Sequence, residues 1–356
     1  MAQELDLILS GVDAAKYLLK SCCGISCVKK AFSLSSKTGF DKAVSQMAST
    51  LRRLSSPSER DAVADAVGVL DVDWLSTTAD ERARLVNDAM VQAGAALSLI
   101  PAKIEGSVEG FARDVVGAGR ESARGAGASI AVDFNATDEK IIDFLTSSNS
   151  LYISDEHGRR INDMGEKART IIADGVSEGL GREEISSRLR AAATSAASGR
   201  SEFYWEVLSA AFVSRGRSLA QMSAYEEAGI EKYQLEAVLD EATTDYCRSV
   251  HGLEFSVKTG LSNFERIAEL DDAAQIKETS PWVRETTNPD GSVDMWVRGS
   301  DGEKVSVGTV SESAVGTADK IPKVESLKTP PQLSSLGIGL PPFHGLCRTT
   351  TIPVLS

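Results

Sequence analysis

The sequence predicts an α+β protein, predominantly α-helical, with a small C-terminal antiparallel β module. Three observations predict it. Apolar residues at helical spacing fill most of the chain up to Gly229, the pattern changes to period two at Tyr233, and two glycine turns then separate short β-like segments. Its 356 residues are 42% hydrophobic and 25% charged, enough to bury a sizeable core and too apolar for a disordered chain. Aromatic residues are only 6%, while Ala, Ser and Gly abound, so helices packed through small side chains are expected.

Residues 1–55 read as two short helical segments with a Ser/Gly-rich joint at Ser33 to Gly39, and Ser56-Pro57-Ser58-Glu59 as the start of a third. Thr78-Ala-Asp-Glu81 has capping-box spacing: a hydroxyl can accept an orphan amide, and a carboxylate can return three residues later. Behind it, Leu85, Val86, Ala89, Met90, Ala93 and Leu97 fall near one helix face, and Pro101 marks a break or restart. Gly106 to Gly127 is glycine-rich, which argues against a continuous helix there. A composition shift at Ile130 to Ala136 suggests a domain boundary.

Beyond it, Thr137-Asp-Glu-Lys opens a helix carrying Ile141, Ile142, Phe144 and Leu145; Asp155 to Gly179 reads as a second, and Gly181-Arg-Glu-Glu-Ile185 starts a third. The long Ala-rich helix Glu202 to Gly229 should end on Gly229 in a left-handed conformation. Tyr233, Leu235, Ala237 and Leu239 then alternate as a strand ending at Asp240. Trp282 to Thr286, Ser292 to Arg298 and Lys304 to Val310 read as a three-stranded meander, joined by Asn288-Pro-Asp-Gly291 and Gly299-Ser-Asp-Gly302. Ser311 to Gly339 reads as an extended, mobile connection. The expected organisation is a helical region over 1–130, a helical core over 131–257, an insertion over 258–340 and a closing segment over 341–356.

The net charge of −13 weighs against a protein that coats nucleic acid, because such coating relies on many Lys and Arg contacts to phosphate. Arg188, Arg190, Arg200, Arg215 and Arg217 make the middle of the chain less acidic than the whole and are expected to form a solvated helix face. No stretch reads as apolar enough to span a bilayer, and Glu4, Asp6, Asp13 and Lys16 interrupt the N-terminus as a signal peptide. Five cysteines, an odd number, do not suggest a secreted disulfide framework and point to synthesis in a reducing cytoplasm. Cys22, Cys23 and Cys27 have no neighbouring His and read as core packing. His157 stands alone and reads as a solvated helix-start residue.

The informative constellation is Asp240 to Gly252, holding Thr244, Cys247 and His251, with the distant Pro341-Pro342-Phe343-His344-Gly-Leu-Cys347-Arg348. Both isolated cysteines and two of the three histidines sit here. A helical turn would put Cys247 and His251 on one face, and His344 and Cys347 have the close spacing of a ligand pair. Three readings fit: a closed Cys₂His₂ zinc clasp of Cys247, His251, His344 and Cys347, a Cys247–Cys347 disulfide, or a buried polar cluster. Arg348 is expected to pair with Asp240 or Glu241. There is no H-E-x-x-H and no H-x-E with P-C-x-x-C, so a non-enzymatic, structural role is expected.

The helix start Gly179-Leu-Gly-Arg-Glu-Glu-Ile-Ser-Ser-Arg-Leu189, the Ala-rich helix, the strand before Asp240, and Thr244, Cys247, Gly252 and Pro-Pro-x-His344-x-x-Cys347-Arg348 together form a pattern. It resembles the phage head morphogenesis domain of Mu F-like minor head proteins, over roughly 137–257 and 341–353. The family often carries a second Cys upstream of the position of Cys247 and ends in Cys-Arg-Cys; here the upstream stretch is Ala-Thr-Thr-Asp and Thr349 follows Arg348. The resemblance implies a low-copy component of a tailed-phage head, made in the host cytoplasm and carried into the virion. It would associate with the portal protein, scaffold or major capsid protein, touch packaged DNA, and meet no membrane. A different class of expectation is a metal-dependent hydrolase or toxin-like effector built on the Cys/His cluster.

Overall fold

The computed structural model describes residues 33–198 and 201–355. The N-terminal charges Glu4 to Lys16, the cysteine cluster at 22–27 and Arg200 lie outside them. Helix α1 (Lys37–Val69) starts on Ser36, whose hydroxyl accepts the Gly39 amide, and runs through Pro57 without stopping. The expected helix start at Ser56 is therefore interior: Ser56 turns its hydroxyl back onto the Arg52 carbonyl at 2.7 Å.

Helix α2 (Ala79–Leu97) has the expected capping box, with Thr78 and Glu81 satisfying each other's amides. A two-residue turn leads to α3 (Ile100–Gly125), with Pro101 in its first turn, where a missing amide costs nothing. Contrary to expectation, α3 is continuous through its glycines. Gly119 explains why one is needed: a Cβ there would lie 2.8 Å from the Ala220 Cβ and 3.0 Å from the Arg217 carbonyl. The run Ala79–Gly125 is long and apolar enough to cross a membrane by length and composition alone, which departs from the sequence expectation. It is broken at Ser98–Leu99, and its apolar face packs into the core.

The two helices expected over 137–179 are one, α4 (Ala136–Ser177), capped by Asn135 with Asp138. Helix α5 (Arg182–Ser198) follows, then α6 (Ser201–Glu227). From Phe212 to Tyr225 every residue of α6 is buried, so it is the axis on which the other helices pack, and its apolar residues show no single stripe. Gly229 ends it at φ +70°, with the Ile230 amide reaching the Tyr225 carbonyl. Helices on both sides of Ile130 to Ala136 share one apolar cluster, including Ile104, Val115, Ile141, Leu145 and Val213. That stretch is a connection inside one compact unit, not the edge of a separate core.

Strand β1 (Lys232–Glu236) is the centre of a three-stranded antiparallel sheet. It pairs with β2 (Glu254–Ser256) on one side and with the last strand, β7 (Thr350–Pro353), on the other. Between β1 and β2 lies the short helix α7 (Asp245–Ser249); after β2 come α8 (Val257–Ala268) and α9 (Ala273–Thr279). The second sheet is an antiparallel meander of β3 (Arg284–Thr287), β4 (Val293–Arg298), β5 (Lys304–Glu312) and β6 (Lys323–Leu327). Its turns fall where expected, with Gly291 and Gly302 at positive φ. The fourth strand and helix α10 (Pro330–Ser335) occupy the stretch expected to be an extended, mobile connection. Gln332 accepts the Thr329 amide and hydroxyl at the start of α10, and Tyr246 and Tyr233 hold the carbonyls of Ile338 and Gly339 at 2.9 and 2.8 Å.

Candidate metal centre

Thr244 begins α7, its hydroxyl accepting the Cys247 amide at 3.4 Å, and so aims Cys247 inward. Asp240, in the turn before, accepts from Lys37 at 2.6 Å and Arg348 at 2.8 Å. Arg348 thus pairs with Asp240, one of the two partners expected. Burial opposes ionisation of Asp240, but the Lys37, Thr243 and Arg348 donors outweigh it and hold its pKa down to about 2. Fully buried Arg248 gathers the carbonyls of Thr243, Asp240, Thr317 and Lys320, fastening the turn to the far side of the β5–β6 connection. Gly252, at φ +84°, returns the chain to β1 through the Leu235 carbonyl.

The closing segment arrives from the other direction. Pro341 and Pro342 are buried and joined by a cis peptide, and Phe343 stands edge-on to Tyr246 at 5.1 Å. Its carbonyl accepts the Val283 amide at 2.8 Å, which docks the start of the meander. His344 and Cys347 follow.

Cys247, His344 and Cys347 come together, with their ligand atoms all within 4.8 Å of one another. The two sulfurs are 4.0 Å apart and the His344 Nε2 is 3.4 Å from the Cys247 sulfur. Both cysteines are free. A disulfide needs sulfurs at about 2.05 Å. A tetrahedral ion bound at about 2.3 Å by sulfur and about 2.0 Å by nitrogen instead sets its ligands roughly 3.5–3.8 Å apart. The three side chains could hold a metal ion.

The protons follow the same geometry. Burial disfavours charge on Cys347, but the Cys247 thiol and the His344 ring stabilise its thiolate, so its pKa lies well below the usual thiol value. The Cys347 sulfur, together with burial, pushes the Cys247 thiol up. Burial lowers the His344 pKa, and the Cys347 thiolate more than offsets that. Two sulfurs, one of them held towards its thiolate form, beside an imidazole make a donor set suited to a cation.

His251 is not part of it. Helix α7 ends at Ser249, so the helical turn that would have brought His251 beside Cys247 does not exist. Its ring is exposed, and Nδ1 accepts the Ala237 amide at 3.1 Å, holding the end of β1. His157, expected in solvent, is buried in the middle of α4, 3.4 Å from the buried carboxylate of Glu59. Arg215 and Arg217, expected on a solvated face, are buried too. Arg215 reaches the Tyr152 hydroxyl at 2.8 Å, and Arg217 stacks on Phe40 at 4.9 Å.

His344 also lines an open groove of about 880 Å³ with Arg348, Phe40, Val44, Trp205 and Val207. Phe203, Trp282 and Leu346 stand on its walls at 64%, 41% and 40% exposure. The helical face Phe40 to Arg52 on α1 forms the opposite side. Little in the sequence signals this groove, since its walls come from α1, α6, the meander and the closing segment.

No family model, curated protein or solved structure matches the chain.

Proposed function

We propose that the chain is a minor head protein of a tailed bacteriophage, acting in procapsid assembly beside the portal, and that Cys247, His344 and Cys347 hold a structural zinc ion. One observation carries the reading. The resemblance to Mu F-like head morphogenesis proteins covers roughly 137–257 and 341–353, and the end of the first segment meets the second in one ligand cluster and one sheet, although Cys247 and Cys347 are 100 residues apart. Zinc suits the donors, since two sulfurs and an imidazole are its preferred ligands and the 4.0 and 3.4 Å spacings lie close to tetrahedral edges. Its binding would draw the closing segment onto α7, so that metal affinity becomes folding free energy. Portal, scaffold or major capsid protein are the proposed partners, with packaged DNA a further contact. The proposed location is the host cytoplasm during assembly and the virion afterwards.

The test is fractionation of an infected or induced culture. Mass spectrometry should find the chain in purified procapsids and virions, co-purifying with portal protein. Its absence from both would end the head-protein reading. Elemental analysis of the purified protein should give one zinc per chain; none would end the metal reading alone.

A second reading, a metal-dependent hydrolase or toxin-like effector, is favoured by two facts. Only three ligands converge among the described residues, and one of them lines an open groove. Catalytic zinc sites keep such an open position. Hydrolytic activity lost in both Cys247→Ala and His344→Ala would support it; activity surviving both would remove its site.

A further inference from the structure

Arg217, Gln221 and Tyr225 recur at every fourth position of α6 and therefore stand one above another on a single face. All three are buried, and all three turn to the same short stretch of chain. Arg217 donates to the carbonyls of Arg348 and Thr349 at 3.0 and 2.8 Å, and to Leu34 at 3.2 Å. Gln221 donates to the Thr351 carbonyl at 3.2 Å and accepts the hydroxyls of Thr350 and Thr351 at 3.2 and 2.9 Å. The Tyr225 hydroxyl donates to the Thr351 carbonyl at 3.1 Å. Residues 348–351 begin immediately after Cys347.

A buried guanidinium ordinarily meets a carboxylate. Among the described residues no carboxylate pairs with Arg217; its planar fork is spent on main-chain carbonyls from two separate segments. This matters for register. Strand β7 has only four residues and one partner strand, pairing Leu235 with Thr351 and Glu236 with Thr350. A slip of one residue along β1 would shift the segment by about 3.4 Å and turn each side chain to the opposite face. Cys347, three residues upstream of β7, would then leave Cys247. The α6 side chains bind particular carbonyls, so they fix the register that so short a strand specifies weakly by itself.

We infer that Arg217, Gln221 and Tyr225 are positioning residues of the Cys247–His344–Cys347 centre, setting the register of the closing segment so that the Cys347 sulfur faces its partners. The inference rests on the metal reading above. It assigns to a helix outside the ligand set the task that supporting hydrogen bonds perform around bound metals.

The experiment uses the full chain and two probes, zinc measured by competition with a chromophoric chelator, and cobalt(II) read through its thiolate charge-transfer band. Arg217→Met should weaken zinc binding about 10–100-fold and alter the cobalt band. Arg217→Lys keeps the charge without the fork and should recover only part of the loss. Gln221→Ala and Tyr225→Phe, milder changes that carry the test if Arg217→Met does not fold, should each cost about fivefold. Ile172→Ala, in a different apolar cluster, serves as the control: it should lower the melting temperature and leave zinc affinity and the cobalt band alone. Wild-type affinity and spectrum in both Gln221→Ala and Tyr225→Phe would overturn the inference, as would an equal loss in Ile172→Ala. An unsubstituted protein that binds neither ion would overturn the metal reading, and this inference with it.

Discussion

Arg120 in the helical body and Arg248 in the C-terminal module are both fully buried, and the way each is satisfied separates the two regions. Arg120 donates to the Ala131 and Asp133 carbonyls but is neutralised by Asp138 at 2.7 Å and Glu227 at 2.9 Å, an ion network between helices already placed by their apolar faces. Arg248 has no such partner among the described residues and holds carbonyls of the surrounding turns, and Arg217, which α6 turns toward the module, likewise holds carbonyls of the closing segment. The body is organised by burial of repeating apolar positions, and charge is accommodated within it. The module has an apolar cluster of its own, around Tyr233, Tyr246, Met295 and Phe343, but its short strands and long connections leave directional bonds to the main chain to set register. Apolar area brings surfaces together without specifying register; a carbonyl fixed by a guanidinium specifies it.

The comparison is most sharply tested at the cluster. On the proposed zinc reading, Cys247→Ser and Cys347→Ser should each abolish stoichiometric zinc in elemental analysis, while far-ultraviolet circular dichroism keeps the helical signal of the body. A collapse of that signal would mean the two regions are not separable in this way. Arg120→Met leaves Asp138 buried and unpaired and should cost about 3–5 kcal/mol in urea unfolding, with zinc content unchanged. Gly119→Ala drives a Cβ against the backbone of α6 and should cost about 1–3 kcal/mol by the same measurement.

The acid limb offers a finer probe of the junction. The folded-state pKa of Asp240 lies at about 2, below its ordinary value of 3.8. Its contribution to stability is therefore complete above about pH 4 and is lost as pH falls towards 2. Asp240→Asn should flatten that part of the stability profile in urea titrations at stepped pH; an unchanged slope would place the acid sensitivity elsewhere. The smallest effect belongs to His251. His251→Ala removes one bond to the Ala237 amide and should cost about 1 kcal/mol or less, with zinc affinity intact. A large fall in zinc affinity would return His251 to the ligand set.

Much of this was legible beforehand for a local reason. The Thr78–Glu81 cap, the stop at Gly229, the restart at Pro101 and the two glycine turns of the meander each depend on a few neighbouring residues. Where neighbours misled, a distant contact had decided. Pro57 and the 106–127 glycines argue for breaks that tertiary packing overrides. Gly119 is there for the approach of α6, not for a turn. Residues 311–339 lack a strong pattern because β6 is an exposed edge strand and α10 spans under two turns.

The sequence by itself determined the helical class, the β module and the pairing of the 240s with the 340s, because repeating spacing and short polar motifs carry that information locally. Only the tertiary structure decided which side chains the pairing brings together. It kept Cys247, His344 and Cys347, released His251, and buried His157, Arg215 and Arg217. The physical reason is that a ligand set and a buried charge depend on where a helix stops and which carbonyls lie across from it. Helix α7 stops before His251, and the face of α6 that carries Arg217 has no solvent to meet.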